Sequence, residues 1–357
     1  MAEGFFNAHD LGAEYPELEN DLRLGTPTAV FGVSGPHKAL IVAACTSDRV
    51  VCVCDSAPAA ASFAAEIAGF AGEEPALLCA KDEVLLYKDA VSKDALFRRM
   101  NALYQIQRGC RITVCDVESL MQLFPRKVPV LTLREGEDLD FLSLPLQLVR
   151  MGYVRAAEVD GKGKFALHGD ILDIYPVNAE EPMRVDFFGD SVEKIKPYRF
   201  VTGERLPLVQ SADIVAATDV FIEEEEIPAL RDKVFAELPS FRDAHAYERA
   251  QTIAGDLFAR LEGGGGFPGA SYLMPLLKNA VDFRTFFGDV TFLIDESKLV
   301  YDRMEALYKE HAERFAQLLR GGEVFSFSRA QYTEKENFLA EFEKLRVSAL
   351  QTFASRT

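Results

Sequence analysis

The sequence predicts an α/β protein, a parallel-sheet unit split by an inserted α+β segment, and three observations point there. Between residues 28 and 124, short apolar runs at 29–33, 49–54, 76–79 and 111–115 alternate with helical stretches. That alternation implies a parallel sheet with helices on both faces. Residues 153–195 change character: short β-rich runs are joined by Gly- and Asp-containing turns, the pattern of an antiparallel meander. After residue 213 the helix–strand alternation returns, with a buried run at 290–294. At 357 residues the chain exceeds one ordinary core. The expected division is 1–124, 125–212 and 213–357, with Phe124-Pro125 as the first break.

Residues 1–26 are mixed and acidic, and fit either a short helix or a strand packed on the first unit. Ala29–Val33 runs into the loop Gly32-Val33-Ser34-Gly35-Pro36-His37-Lys38-Ala39, and 40–44 reads as helix. Arg49–Cys54 is a buried strand. Ser56 is placed to cap the Ala-rich helix that follows, with Pro58 in its first turn. Ser92 caps a helix whose Leu96, Met100, Leu103 and Tyr104 recur at spacings of three and four, and Gly109 stops it. Asp116 caps 117–123. Within the middle segment, 128–133 reads as strand and 139–150 as helix.

Residues 215–222 return to strand character, and the acids at 223–226 form a solvated surface. An amphipathic helical stretch over 227–261 ends at the glycines of 263–266. Ser297 is placed to cap a helix with Met304, Leu307, Tyr308, His311, Phe315 and Leu318 on one stripe. Val324–Phe327 reads as strand. Thr333 and Glu336 read as a capping box for a last helix carrying Phe338, Phe342 and Leu345.

Composition excludes several classes. The net charge of -17 opposes phosphate tracking over the whole surface, since nucleic-acid affinity comes from clustered Lys and Arg. No apolar run reaches membrane-span length and no signal pattern opens the chain, so a cytoplasmic protein without membrane contact is expected. Cys52 and Cys54 lie in one apolar run, with no second pair at zinc spacing, and His311 sits on an apolar stripe. Core packing, not metal binding, is expected for all three.

In the meander, period two points Phe165 and Leu167 one way and Ala166 and His168 the other, and in the next strand it points Met183, Val185 and Phe187 in and Arg184, Asp186 and Phe188 out. An outward Phe188 flanked by Arg184 and Asp186 suits an aromatic anchor with a charged rim. The run Y-V-R, then F-A-L-H-G-D-I-L-D-I-Y-P, then R-V-D-F-F-G-D-S-V-E-K-I resembles the domain that the excinuclease protein UvrB shares with the bacterial transcription-repair coupling factors. The likeness is dense over about forty residues and looser on either side. It implies docking of the excinuclease protein UvrA, with Arg155, Arg184 and His168 as charged contacts and Tyr175 and Phe188 as apolar anchors. Ala166 and His168 stand where the UvrB pattern has arginines.

The loop at Gly32–Ala39 lies where a strand enters a helix, as a phosphate loop does. Against G-x-x-x-x-G-K-[ST], Gly32 and Lys38 match, whereas His37 replaces the second glycine and Ala39 the Ser/Thr that would hold magnesium. Pro36, next to Gly35, lacks an N–H. Asp295-Glu296 after a buried strand resembles the acidic pair of an ATPase, with Lys298 where motors have His. The resemblance reads these as remnants of a RecA-like unit split by the docking domain.

Between Leu85 and Ser92 there is no room for the DNA-clamping hairpin of UvrB. The chain is therefore similar to the N-terminal module of the coupling factors. That likeness implies no cofactor in this segment, with ATP and Mg confined to motor domains beyond Thr357. RNA polymerase and DNA would be reached through those absent segments, and an intramolecular C-terminal domain would mask the docking face. Two other readings compete: an ATP-dependent DNA motor half like UvrB, and a direct DNA-binding module.

Overall fold

A computed structural model describes residues 8–46, 48–81, 85, 93–262 and 268–353. The cap assigned to Ser92, the segment between Leu85 and Ser92, and the glycine loop at 263–266 lie outside the described residues, although Leu85 itself is described and buried.

The chain opens with helices α1 (Ala8–Leu11) and α2 (Tyr15–Leu24), then runs β1 (Ala29–Phe31), α3 (Pro36–Cys45), β2 (Val50–Cys54), α4 (Ala57–Ala71), β3 (Ala76–Leu78), α5 (Lys93–Gln107), β4 (Ile112–Asp116), α6 (Val117–Met121) and β5 (Phe124–Pro125). The middle segment holds β6 (Val130–Arg134), α7 (Leu144–Arg150), β7 (Val154–Arg155), β8 (Lys164–His168), β9 (Ile171–Tyr175), β10 (Met183–Phe188), β11 (Ser191–Pro197) and β12 (Ser211–Val215). The remainder holds α8 (Ile227–Ala236), α9 (Ala244–Glu262), β13 (Ala280–Val281), α10 (Phe283–Phe287), β14 (Thr291–Asp295), α11 (Ser297–Arg320), α12 (Lys335–Phe342) and β15 (Arg346–Gln351).

The α/β reading holds. A six-stranded sheet, parallel at every pairing, has the order β1-β15-β14-β2-β4-β3. Every residue of β2 and β4 is buried, as expected for strands covered on both faces. Val50, Cys52 and Cys54 face a core with α3 and α4, while Val51 and Val53 face α5 and α6. The two cysteines thus share one face and are free thiols. Burial pushes the Cys54 thiol well up, and no His/Cys/Asp/Glu cluster among the described residues could hold a metal. Asp116 caps α6 as expected, accepting the Ser119 N–H at 2.7 Å.

The inserted segment leaves and rejoins along one ribbon. β6 and β12 pair antiparallel, Val130 opposite Val215, so the ends of the insertion lie side by side and the parent sheet stays undisturbed. A second sheet, β11-β10-β9-β8-β7, packs its inner residues Phe165, Leu172, Ile174, Val185, Phe187 and Ile195 against Leu144 and Leu148 of α7 and against Leu131 and Leu133 of β6. Two-residue Gly-Asp loops join β8 to β9 and β10 to β11, with Gly169 at φ 61° and Gly189 at φ 60°. Glycine adopts that left-handed region without a Cβ penalty.

Several expectations need correction. The run beginning at Tyr153 keeps only Val154–Arg155 as strand, and it pairs parallel with β8, so the meander is not wholly antiparallel. Residues 326–331 form a 3-10 helix instead of a strand. Ser297 is the first residue of α11, not its cap, and Thr333 caps nothing, because α12 begins after Glu334. The stripe extended to Leu345 ends at Phe342, and the chain turns into β15, an interior strand of the main sheet. Residues 8–24, left open between helix and strand, are helical over α1 and α2.

Candidate functional site: an outward sheet face and a closed phosphate loop

The outer face of the second sheet is set by register. Arg184 of β10 lies opposite Asp173 of β9, and the two form a bidentate pair with N···O distances of 2.7 and 2.8 Å. Asp173 is 6% exposed. The hydrogen bonds to its carboxylate raise the guanidinium's pKa and fix its plane. Lys196, the β11 neighbour of Arg184, pairs with Asp186. Phe188 stands at the end of β10 with 83% of its surface exposed. His168 is exposed at the same end, opposite Ile171. Arg184, His168 and Phe188 therefore share one face.

Arg155 and Tyr175 do not join them. Arg155 pairs with inward-facing Phe165, and register partners share a side. It emerges, exposed, at the β7 edge on the opposite side. Tyr175 has the outward parity of Asp173 but is only 8% exposed. Its hydroxyl donates to Glu180 O at 2.6 Å, Phe200 lies on its ring at 5.3 Å between centroids, and Lys162 Nζ sits 5.7 Å from it. The loop after Pro176 and the 198–206 turn fold over this end of the sheet, so Tyr175 cannot be an exposed anchor. The exposed apolar residues here are Phe200 and Val201, which strand periodicity could not reach because they lie in a turn.

The phosphate loop is closed on itself. Gly32 at φ 78° and Gly35 at φ 45° turn the chain from β1 into α3. The His37 and Lys38 N–H groups donate to Ser34 O at 3.1 Å and Gly35 O at 3.0 Å, and Pro36 has none to give. Helix α2 covers the loop through Tyr15, whose hydroxyl lies 2.7 Å from His37 Nε2. Ala39 is buried.

Lys38 is buried too, and its Nζ reaches Asp295 Oδ1 at 2.5 Å and Glu296 Oε1 at 2.6 Å. The sheet order makes this possible: β1 and β14 flank β15, so their C-terminal ends converge. Glu296 sits at φ 53°, the one non-glycine residue with positive φ among those described. Its Oε1 also accepts the Thr352 N–H at 2.7 Å and the Thr352 hydroxyl. Burial is the largest influence on Lys38 and lowers its pKa, yet the two carboxylates outweigh it and the net shift is upward. Burial raises Asp295. On Glu296 burial also opposes ionisation, but Lys38 and Thr352 prevail and hold it below its ordinary value. Glu296 is the firmly ionised partner, because three donors converge on one oxygen. The residues present do not fit a magnesium nucleotide: the Lys38 ammonium and the His37 and Lys38 N–H groups are engaged within the chain, Pro36 has no N–H to give, and Ala39 offers the metal nothing.

His311 behaves as a packed residue. Its ring stacks on Tyr332 at 4.2 Å with Nε2 3.2 Å from Arg329 O, and burial lowers its pKa. Among the described residues no helix is long and apolar enough to cross a membrane.

Residues 131–220 match the UvrB interaction domain family. The chain is similar to the transcription-repair-coupling factor of Myxococcus xanthus, 30% identical over 235 residues, covering 61% of this chain and 19% of that protein. With its counterpart from Bacillus subtilis it is 24% identical over 349 residues, covering 91% of this chain and 30% of that protein. With that of Staphylococcus aureus it is 27% identical over 209 residues, covering 55% and 17%. The chain thus spans less than a third of the length of these relatives.

Proposed function

We propose that this chain, a relative of the transcription-repair-coupling factors whose residues 131–220 are a UvrB interaction domain, recruits the excinuclease protein UvrA to stalled transcription for nucleotide excision repair. Residues 125–212 serve as the docking domain. The flanking 1–124 and 213–357 form its RecA-like carrier, which hydrolyses no ATP and takes no cofactor. The observation that carries this reading is the outward face of the second sheet: Phe188, 83% exposed, on the same face as an Arg184 guanidinium held in plane by buried Asp173. Exposed aromatic side chains and arginine are among the residue types enriched at protein–protein interfaces. The closed loop at Lys38 supports the non-catalytic half of the reading and disfavours a motor like UvrB. The net charge of -17 disfavours a direct DNA-binding module.

RNA polymerase, DNA, ATP and Mg belong to segments outside this chain. An intramolecular C-terminal domain covers the docking face until it is needed, and the protein works in the cytoplasm. The test is calorimetric titration of this chain with UvrA. Wild-type protein binds, and Phe188→Ala and Arg184→Ala each weaken binding about tenfold or more. Full binding by the double variant would remove the face from consideration.

A further inference from the structure

The second sheet carries a second apolar projection. Phe200 and Val201 lie at the tip of a closed turn, 40% and 92% exposed. Scattered exposed apolar residues are ordinary, but turn tips are normally polar or Gly-rich, and this one is held rigidly. The Arg199 N–H donates to Glu204 O and the Gly203 N–H to Arg199 O, each at 2.8 Å, and Tyr198 bridges to Arg205. Glu181 clamps the turn from outside the strand, accepting the Phe200 N–H at 2.8 Å and pairing with Arg199 at 3.0 Å. The Phe200 N–H is the main reason the Glu181 carboxyl is held below its ordinary pKa. The Phe200 ring rests on Tyr175, which has the same outward parity as Asp173. This projection therefore continues the face that carries Arg184 and Phe188.

We infer that Phe200 and Val201 form a second anchor for the same partner, UvrA, at the end of the sheet opposite Phe188. The inference rests on the docking reading above. The spacing suits one interface: Met183 to Phe188 spans about 17 Å of strand, and a standard footprint of about 800 Å² per partner is roughly 28 Å across. Both ends fit under one partner with Arg184 between them. The partner's matching surface is an apolar recess, because the tip of the projection is Phe200 and Val201 and the two arginines on either side along this face are already paired, Arg199 with Glu181 and Arg184 with Asp173. A rigid turn has already lost its conformational freedom, so its contacts translate into affinity with little ordering cost.

The experiment titrates UvrA into this chain and into Val201→Ser, Phe200→Ala/Val201→Ser and Phe188→Ala, at low and at high salt. Val201 touches little of its own chain, so Val201→Ser keeps the wild-type unfolding midpoint. The expected losses are about five- to tenfold for Val201→Ser and larger for the double variant, from the apolar area no longer buried. The ratio to wild type stays the same in high salt. Binding by the double variant within twofold of wild type, while Phe188→Ala is impaired, overturns the second anchor and leaves the docking reading intact. A loss that vanishes in high salt overturns the apolar assignment. A wild-type chain that does not bind overturns both.

Discussion

Replacing Lys38 by Met retains most of the apolar stem and removes only the ammonium. Lys38 is 6% exposed at its side chain and pairs with two carboxylates, Asp295 and Glu296, exposed by 22% and 24%. Removing one partner of a fully buried ion pair costs about 3–5 kcal/mol, because the charge left behind is uncompensated. Water reaches both acids here and Asp295 can take up a proton, so the expected cost is about 2–3 kcal/mol. Urea denaturation followed by far-UV circular dichroism measures it as a lower midpoint at unchanged slope. Lys38→Met/Asp295→Asn should recover part of the loss, since one orphaned charge is removed with the ammonium. Wild-type protein in excess Mg-ATP should keep its melting temperature, because a ligand stabilises only what it binds. A Lys38→Met loss below about 0.5 kcal/mol, within the range of ordinary surface changes, would show that Lys38 is not a lock. A Mg-ATP-dependent rise in melting temperature would show that the loop still opens to phosphate.

The same cluster predicts an acid dependence. Glu296 is held below its ordinary value of 4.5, so its contribution is present above that pH and fades as pH falls through the folded value. Asp295, raised by burial, has the opposite sign and softens the slope, and Glu296→Gln should flatten the urea midpoint below about pH 4.5. Asp173→Asn should cost about 1–2 kcal/mol in stability and also weaken UvrA binding, because Arg184 loses its bidentate partner; unchanged affinity in calorimetry would separate Arg184 from docking. Tyr104→Phe removes a 2.5 Å hydrogen bond from α5 to Asp213 of β12 and should cost about 1–2 kcal/mol, read as faster hydrogen exchange along the β6–β12 ribbon. Gly163→Ala should cost about 1–3 kcal/mol in urea denaturation, since the residue sits at φ 75° and a Cβ would lie 2.5 Å from Cζ of buried Phe97.

The legible parts of the fold were those with strong local periodicity. The apolar run at 50–54 and the short run at 111–115, alternating with helices, announced a doubly covered sheet, and the alternation in 183–188 oriented β10 correctly, down to an outward Phe188. β15 was not legible. Arg346–Gln351 is short and mixes Arg, Ser and Gln with Val, Ala and Leu, and it follows directly on a helix whose apolar spacing runs on into Leu345. It becomes a strand because β1 and β14 leave a vacancy between them with hydrogen bonds to fill. Tyr175 failed for a similar reason. Its parity is right, but burial is decided by what folds over it, and Phe200 comes from beyond the next two strands.

By itself the amino-acid order determined the α/β class, the inserted β-rich segment and the defects of the phosphate loop, because these depend on neighbours a few residues apart. Only the tertiary structure decided that Lys38 meets Asp295 and Glu296, residues more than 250 positions away, and that Thr352 joins them on Glu296. It alone decided that Asp173 pins Arg184, and that Arg155 stands apart from the face it was expected to share. Those outcomes depend on strand order and register, and these are settled by which edges find partners across the whole chain.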